Sequence, residues 1–229
     1  MLSISRSNSS RIIDPPEPSD NHDFSLMREA VLEMANYECA ETGFRSLKFQ
    51  HCHHKDGNHR NNEVSNGVCL NPLSHLCHHL GYVGEHRLGS LAICPDFTQS
   101  ELNIIQIIAW VTKYQVNIEK DSISPGLLDI ARVSNQIVTA IAASSVQVER
   151  LFGFQNPTQA AKEFELMTNE QYESRGTIYG DLRLVFNPQH FSKEIMYWAT
   201  LENFFAEFSS PDRWSDIANN FMEAPNGIK

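Results

Sequence analysis

The chain has 229 residues, 41% of them hydrophobic and 20% charged, and its 18 Lys+Arg against 28 Asp+Glu give a formal net charge of −10. That length suits one larger domain or two small ones, and no run reaches the roughly 18 uninterrupted apolar residues of a membrane span; the longest, Ile104 to Val111, is broken by Gln106. The N-terminus lacks the apolar core of a secretory signal and the five Cys, an odd number, describe no disulfide framework, so the expectation is a cytoplasmic chain without membrane insertion.

Residues 1–22, with Pro15, Pro16 and Pro18 among Ser and Asn, hold too few large apolar groups to offset ordering entropy and predict a disordered arm. From Ser25 to Asn36 apolar residues recur at helical spacing with Ser25 as a candidate cap, and Phe44 to Cys52 alternates like a short strand. The Asn- and Gly-rich stretch 55–67 is a loop, Pro72 to Leu80 a short helix opened by Pro, and Ser90 to Cys94 a strand. Thr98 and Glu101 form a capping box before an apolar helix to about Tyr114; Asn117 to Pro125 is a linker. Helices follow over Leu127 to Phe152 and Pro157 to Glu173, then an extended run over Thr177 to Phe186 and a last aromatic-rich helix over Pro188 to Phe208.

Eight of the ten His lie between His51 and His86, and four of the five Cys (Cys39, Cys52, Cys69, Cys77) between positions 39 and 77. The side chains able to ligate metal or move protons are thus concentrated in one segment. Residues 37–90 balance 5 basic against 5 acidic side chains, while 91–229 carry 10 Lys+Arg and 17 Asp+Glu. Duplex DNA is held through a net basic face. Only Arg45, Lys48, Lys55, Arg60 and Arg87 lie near the cluster, diluted by Glu38, Glu41, Asp56, Glu63 and Glu85, which argues against nucleic acid as the main partner.

The string YECAETGFRSLKFQHCHHKDGNHRNNEVSNGVCLNPLSHLCHH, residues 37–79, resembles the HNH nuclease pattern, a ββα-metal unit in a treble-clef frame. In that family a strand ends in a His-His or Asp-His pair, a loop of the DGNHRNN type follows, an Asn-hydrophobic step opens the next element, and a last His lies on a short helix. The matching positions are His53 and His54, Asp56 to Asn62, Asn66 with Gly67 and Val68, and His75. The resemblance implies His54 as general base, His53 and His75 as ligands of a divalent metal, zinc or magnesium, and Asn66 as the amide that fixes the backbone beneath the base. Imidazole suits both tasks, since it ligates when neutral and accepts a proton near neutral pH, and the metal would stabilise the scissile phosphate and leaving oxygen. The same frame persists in proteins that do no chemistry, so the motif leaves open a working site or vestigial residues.

Many HNH proteins also carry a four-Cys zinc knuckle, one CxxC before the first strand and one opening the helix. Here the first pair reads Cys39-Ala-Glu-Thr42 and the second Asn71-Pro-Leu-Ser74, so Cys39 is a lone remnant and the structural zinc site is degraded. Thr, Asn and Ser are poor zinc ligands, and a structural zinc contributes on the order of 10 kcal/mol to a small finger; burial against the rest of the chain is expected to offset its loss. A substitute site drawn from Cys39, Cys52, Cys69, Cys77, His78 and His79 is one alternative. In the other, Cys69 and Cys77 are small buried hydrophobes and His51, His59, His78, His79 and His86 are surface or half-buried imidazoles.

Further on, GYVGEHRLGSLAICPDFTQSELNIIQIIAWVTKY (81–114), SSVQVERLFGFQNPTQAAKEF (144–164) and LRLVFNPQHFSKEIMYW (182–198) resemble the IcmJ/DotN family of type IVB secretion systems, extending the resemblance over about residues 30–200. It implies an α+β fold: a disordered arm at 1–22, an HNH-like ββα (treble-clef) core at 23–94 and a mainly helical extension at 95–229 packed on it. It also implies a non-catalytic, cytoplasmic subunit of a coupling protein complex, peripheral to the inner membrane through that complex. Its partners would be the C-terminal region of the coupling ATPase and other secretion subunits, and it would help recruit effectors. The aromatics Phe191, Tyr197, Trp198, Phe204, Phe205, Phe208 and Trp214 either anchor such an interface or close the chain's own core. The competing expectation is a metal-dependent HNH endonuclease with His54 as base.

Overall fold

A computed structural model describes residues 22–118, 124–201 and 204; the expected arm, apart from His22, and Phe205, Phe208 and Trp214 lie outside the described residues. The architecture is α+β, with two separate two-stranded antiparallel sheets among the described residues. Helix α1 (His22–Met34) buries Phe24, Met27, Val31 and Leu32, one helical face, against a hairpin of β1 (His51–His54) and β2 (Gly67–Leu70). His51 lies opposite Leu70 and His54 opposite Gly67. A side chain at Gly67 would collide with Val31 and Met27, so glycine is what lets α1 approach β2. Helices α2 (Pro72–Cys77) and α3 (Leu80–Glu85) follow the hairpin directly.

Next comes β3 (Gly89–Ile93), then α4 (Gln99–Ile118), opened by the reciprocal Thr98–Glu101 box. Helix α5 (Pro125–Ala143) packs along α4, placing Ala131, Ser134, Ile137 and Ile141 inward. The chain continues through α6 (Val148–Phe152), α7 (Pro157–Leu166), α8 (Asn169–Ser174) and α9 (Gly176–Tyr179) to β4 (Leu182–Phe186). A 3-10 turn over Pro188–Phe191 leads into α10 (Ser192–Trp198). The second sheet therefore joins residues far apart in the chain, Gly89 opposite Phe186 and Ile93 opposite Leu182. The largest apolar cluster runs across position 94, joining Phe44, Leu73, Leu76 and Leu80 to Ile104, Ile108, Phe164, Leu184 and Trp198.

Side chains pair with the outer edge of β4 and with the end of β3. Leu184 and Phe186 present their backbone to the same side of β4, where Gln99 Oε1 accepts from Leu184 N (2.7 Å) and Gln106 Oε1 from Phe186 N (2.6 Å). Gln99 Nε2 donates back to the Leu184 carbonyl at 3.0 Å. At the β3 edge, Ser144 Oγ accepts from Ile93 N (2.7 Å) and lies 3.0 Å from the Ile93 carbonyl oxygen. The Gln106 that interrupts the apolar run of α4 is thus the residue that completes β4.

The departures from the periodicity have local causes. Where alternation predicts a strand over 44–52, only His51–His54 pairs: Phe49 is left-handed (φ 68°) and Gln50 Nε2 turns inward to the carbonyls of Tyr37 and Phe44. The helix predicted over 127–152 breaks at Ser144, which serves the β3 edge, and Gly153 (φ 79°) ends α6. The helix predicted over 157–173 divides at Thr168, whose own capping box opens α8, and the extended run from Thr177 begins as α9. Phe191, Trp198 and Phe204 are 4%, 0% and 3% exposed, which favours the second of the two readings for these three: they close the chain's own core, with Trp198 Nε1 donating to Ser46 Oγ at 3.2 Å. Within Pro125–Leu166 one 18-residue window reaches a mean hydropathy of 1.2, the apolarity of a membrane span and equally of a core helix, but the span is divided into α5, α6 and α7.

Replacing Gln106 by Leu keeps the volume and removes the acceptor from Phe186 N. Stranding a buried N–H costs about 1–3 kcal/mol, so Gln106→Leu is expected to lower unfolding free energy by that amount in urea titrations. A variant as stable as the parent would refute the edge-closing role.

Candidate metal centre

Alternation along β1 sends its histidines to two faces. Cys52 joins the cluster beneath α1, where His54 stacks on Phe24 (centroids 5.3 Å apart), while His51 and His53 face α2. Helix α2 starts at Asn71, whose side chain caps Ser74 N (2.9 Å), with Pro72 in its first turn. His75 therefore points into the hairpin. His79 follows one turn later, at the junction between α2 and α3, its N–H bonded to the Leu76 carbonyl.

His53, His75 and His79 each offer one ligand atom, and these atoms lie within 4.8 Å of one another. His75 Nε2 and His79 Nε2 are 3.1 Å apart, close to the edge of about 3.3 Å that a tetrahedron with zinc–nitrogen bonds of roughly 2.0–2.1 Å would have. His53 Nδ1 is buried with no hydrogen-bond partner among the described residues. Buried polar atoms are almost always satisfied, so an unpartnered nitrogen on one of three convergent imidazole rings fits a divalent cation that prefers nitrogen donors. Burial, reinforced by His78, His79 and His54, holds the His53 pKa down to about 2, and burial beside His51 and His79 holds His75 well below its ordinary value. Both rings are thus neutral at physiological pH, the form that ligates.

His54 lies beside this trio with a different environment. It is 2% exposed, its ring covered by Phe24 and its Nε2 3.0 Å from Asn62 Oδ1. Asn66 organises the loop next to it: Nδ2 donates to Asp56 Oδ1 and to the Asn61 carbonyl (both 2.9 Å), and Oδ1 accepts from Asp56 N (3.1 Å). The backbone N–H of Asn58 and the amides of Asn61 and Asn66 hold the Asp56 carboxyl down to about 2.

The four positions that the resemblance assigns to a zinc knuckle also converge. Asn71 Nδ2 donates to Thr42 Oγ1 (2.8 Å) and to Cys39 Sγ (3.3 Å), and Ser74 Oγ accepts from Asn103 Nδ2 of α4 (3.4 Å). Cys39, Thr42, Asn71 and Ser74 are all at most 4% exposed. Burial pushes the Cys69 thiol up to about 12 and Cys77 well above its ordinary value; both stay protonated and pack as small apolar groups.

His53 and His75 thus meet in one cluster, His54 and Asn66 stand beside it, and Cys39 sits at a separate hydrogen-bonded junction. His51, His59 and His78 are half-buried and His86 is exposed, but His79 departs from that group and is fully buried. The signal for it was present in the spacing: four residues separate His75 from His79 in a segment predicted to be helical, one turn on the same face.

Because His53 and His75 are held neutral in the fold while an unfolded His takes up a proton near pH 6.5, their contribution to stability is complete above that pH. It is lost progressively as pH falls below it. In chelator, the unfolding free energy is expected to be nearly flat from pH 8 to 7 and to fall towards pH 5, approaching about 1.4 kcal/mol per pH unit for each histidine, with the melting temperature falling alongside. A melting temperature unchanged between pH 7.5 and pH 5 would contradict the burial of these rings in neutral form.

No family model matches the chain, and no curated protein sequence matches it.

Proposed function

We propose that this chain is a non-catalytic subunit of a type IVB secretion coupling complex, built on an HNH-like ββα core whose histidine cluster holds a divalent metal in a structural role. It binds the C-terminal region of the coupling ATPase together with other secretion subunits and helps recruit effector proteins, in the cytoplasm at the inner membrane. The observation that carries the non-catalytic reading is the enclosure of His54. A general base must come within about 3 Å of the proton it takes, directly or through one water. His54 is 2% exposed under Phe24, with Nε2 engaged by Asn62, an environment that supports a packed ring over a base open to substrate and water. The balanced charge of 37–90 and the acidic excess beyond it support a protein partner over a polyanion. The secretion assignment rests on the sequence stretches 81–114, 144–164 and 182–198.

If bound, the metal would be held by His53, His75 and His79. It would supply a cross-link between β1 and the α2–α3 junction, and its binding energy would add to folding. Co-purification from the native host after gentle lysis tests the main reading. A coupling ATPase and further secretion subunits are expected with the chain, and its recovery as a lone monomer would overturn the assignment.

A second reading has its own observation: three convergent imidazoles beside His54 are also the equipment of a metal-dependent nuclease. Incubated with plasmid DNA and Mg²⁺, Mn²⁺ or Zn²⁺ at low salt, the purified protein is expected to leave the plasmid uncut. Cleavage lost in His54→Ala would establish the nuclease instead.

A further inference from the structure

We propose that His51 is the positioning residue of the metal centre: its Nδ1, 2.9 Å from His75 Nδ1, accepts a hydrogen bond from the His75 Nδ1–H and so turns the His75 Nε2 lone pair towards His53 and His79. This rests on the metal-holding role just argued for that trio. A neutral imidazole carries one proton on one of its two nitrogens, and both nitrogens of His75 face another imidazole, Nδ1 towards His51 and Nε2 towards His79 at 3.1 Å. Two nitrogens 2.9 Å apart need one hydrogen between them. If His51 donated it, the His75 proton would have to sit on Nε2, between His75 and His79, and that nitrogen could not ligate. If His75 donates it, Nε2 is free and all three rings of the trio can turn lone pairs inward.

The strand sets up this arrangement. His51 and His53 are two residues apart on β1 and share a face, so the same strand brings one ring to the cluster as a ligand and the other to the outer side of His75. His51 is also the less buried of the two, placing it at the rim while the ligand trio is enclosed. Ligating histidines commonly give their second N–H to a carboxylate, carbonyl or water, and loss of that partner costs 10–100-fold in metal affinity. Here an imidazole takes the acceptor's place, so the centre is oriented without adding a negative charge.

Cobalt titration followed by its visible absorption, with zinc measured by competition, tests the role in full-length protein. His51→Leu, which has no acceptor, is expected to bind cobalt roughly 10–100-fold more weakly, and His51→Gln, whose carbonyl can accept the same hydrogen, to return close to the parent. In the zinc-loaded parent, NMR should show a 15N–15N coupling between His51 Nδ1 and His75 Nδ1 with the proton attached to His75. Equal affinity of parent and His51→Leu, or absence of that coupling, overturns the role of His51 while leaving the metal centre standing. A parent protein that binds neither metal overturns the centre itself and this role with it.

Discussion

Helix α4 is buried over most of its length, yet it carries three amides, Gln99, Asn103 and Gln106, along one face. Unsatisfied, each would cost about 1–3 kcal/mol in such surroundings. Each instead meets a backbone or side-chain partner. The two glutamines stand where a third strand would be, closing β4 from residues about 80 positions earlier in the chain. Asn103 bonds Gln99 on one side (2.9 Å) and reaches Ser74, next to His75, on the other. The row therefore ties the second sheet to the helix that presents the candidate ligands. An apolar α4 could bury as much surface, but it would leave β4 with an open edge and α2 without its anchor.

At the other end of α2, Asn71 does the work of a junction. Its amide spans the Cys39–Thr42 turn while its carbonyl caps the helix. A zinc tetrathiolate would hold the same two segments through four strong bonds. A few buried hydrogen bonds are worth far less, roughly 1 kcal/mol each. Packing adds to them: Phe44, Leu73, Leu76 and Leu80 of this region belong to the same apolar cluster as α4, α7 and α10, so the two segments are also held through the rest of the core.

The histidine cluster is the opposite case, a place where burial alone leaves chemistry unbalanced. Seven rings crowd one hairpin and the helix beside it, from His51 to His79. Packing keeps the innermost rings neutral, and neutral imidazoles facing one another must alternate donor and acceptor or share a cation. The cluster that could hold a metal and the ring that could act as base are adjacent, but α1 lies over the base. Its Phe24 is held by the same Met27 and Val31 contacts that make Gly67 necessary. Closing α1 onto the hairpin and enclosing His54 are a single packing event.

Much of this was legible in residue spacing. The capping box at Thr98, the Pro-opened α2 that carries His75 and the mixture of helices and short strands follow from local patterns that act over a few residues, while a strand ending in His53 and His54 was what the resemblance implied. His79 was legible as well, by its one-turn offset from His75. The sequence also determined charge, with 5 basic and 5 acidic side chains over residues 37–90. What only the tertiary structure decided are contacts between segments distant in the chain: β3 with β4, Gln106 with Phe186, Ser144 with Ile93, Trp198 with Ser46, and Phe24 over His54. Local periodicity specifies which face of an element is apolar, but the partner of that face depends on how the whole chain excludes water and satisfies its buried backbone. That is why the histidine-rich motif could be read from the sequence, while the enclosure of His54 beneath Phe24 could not.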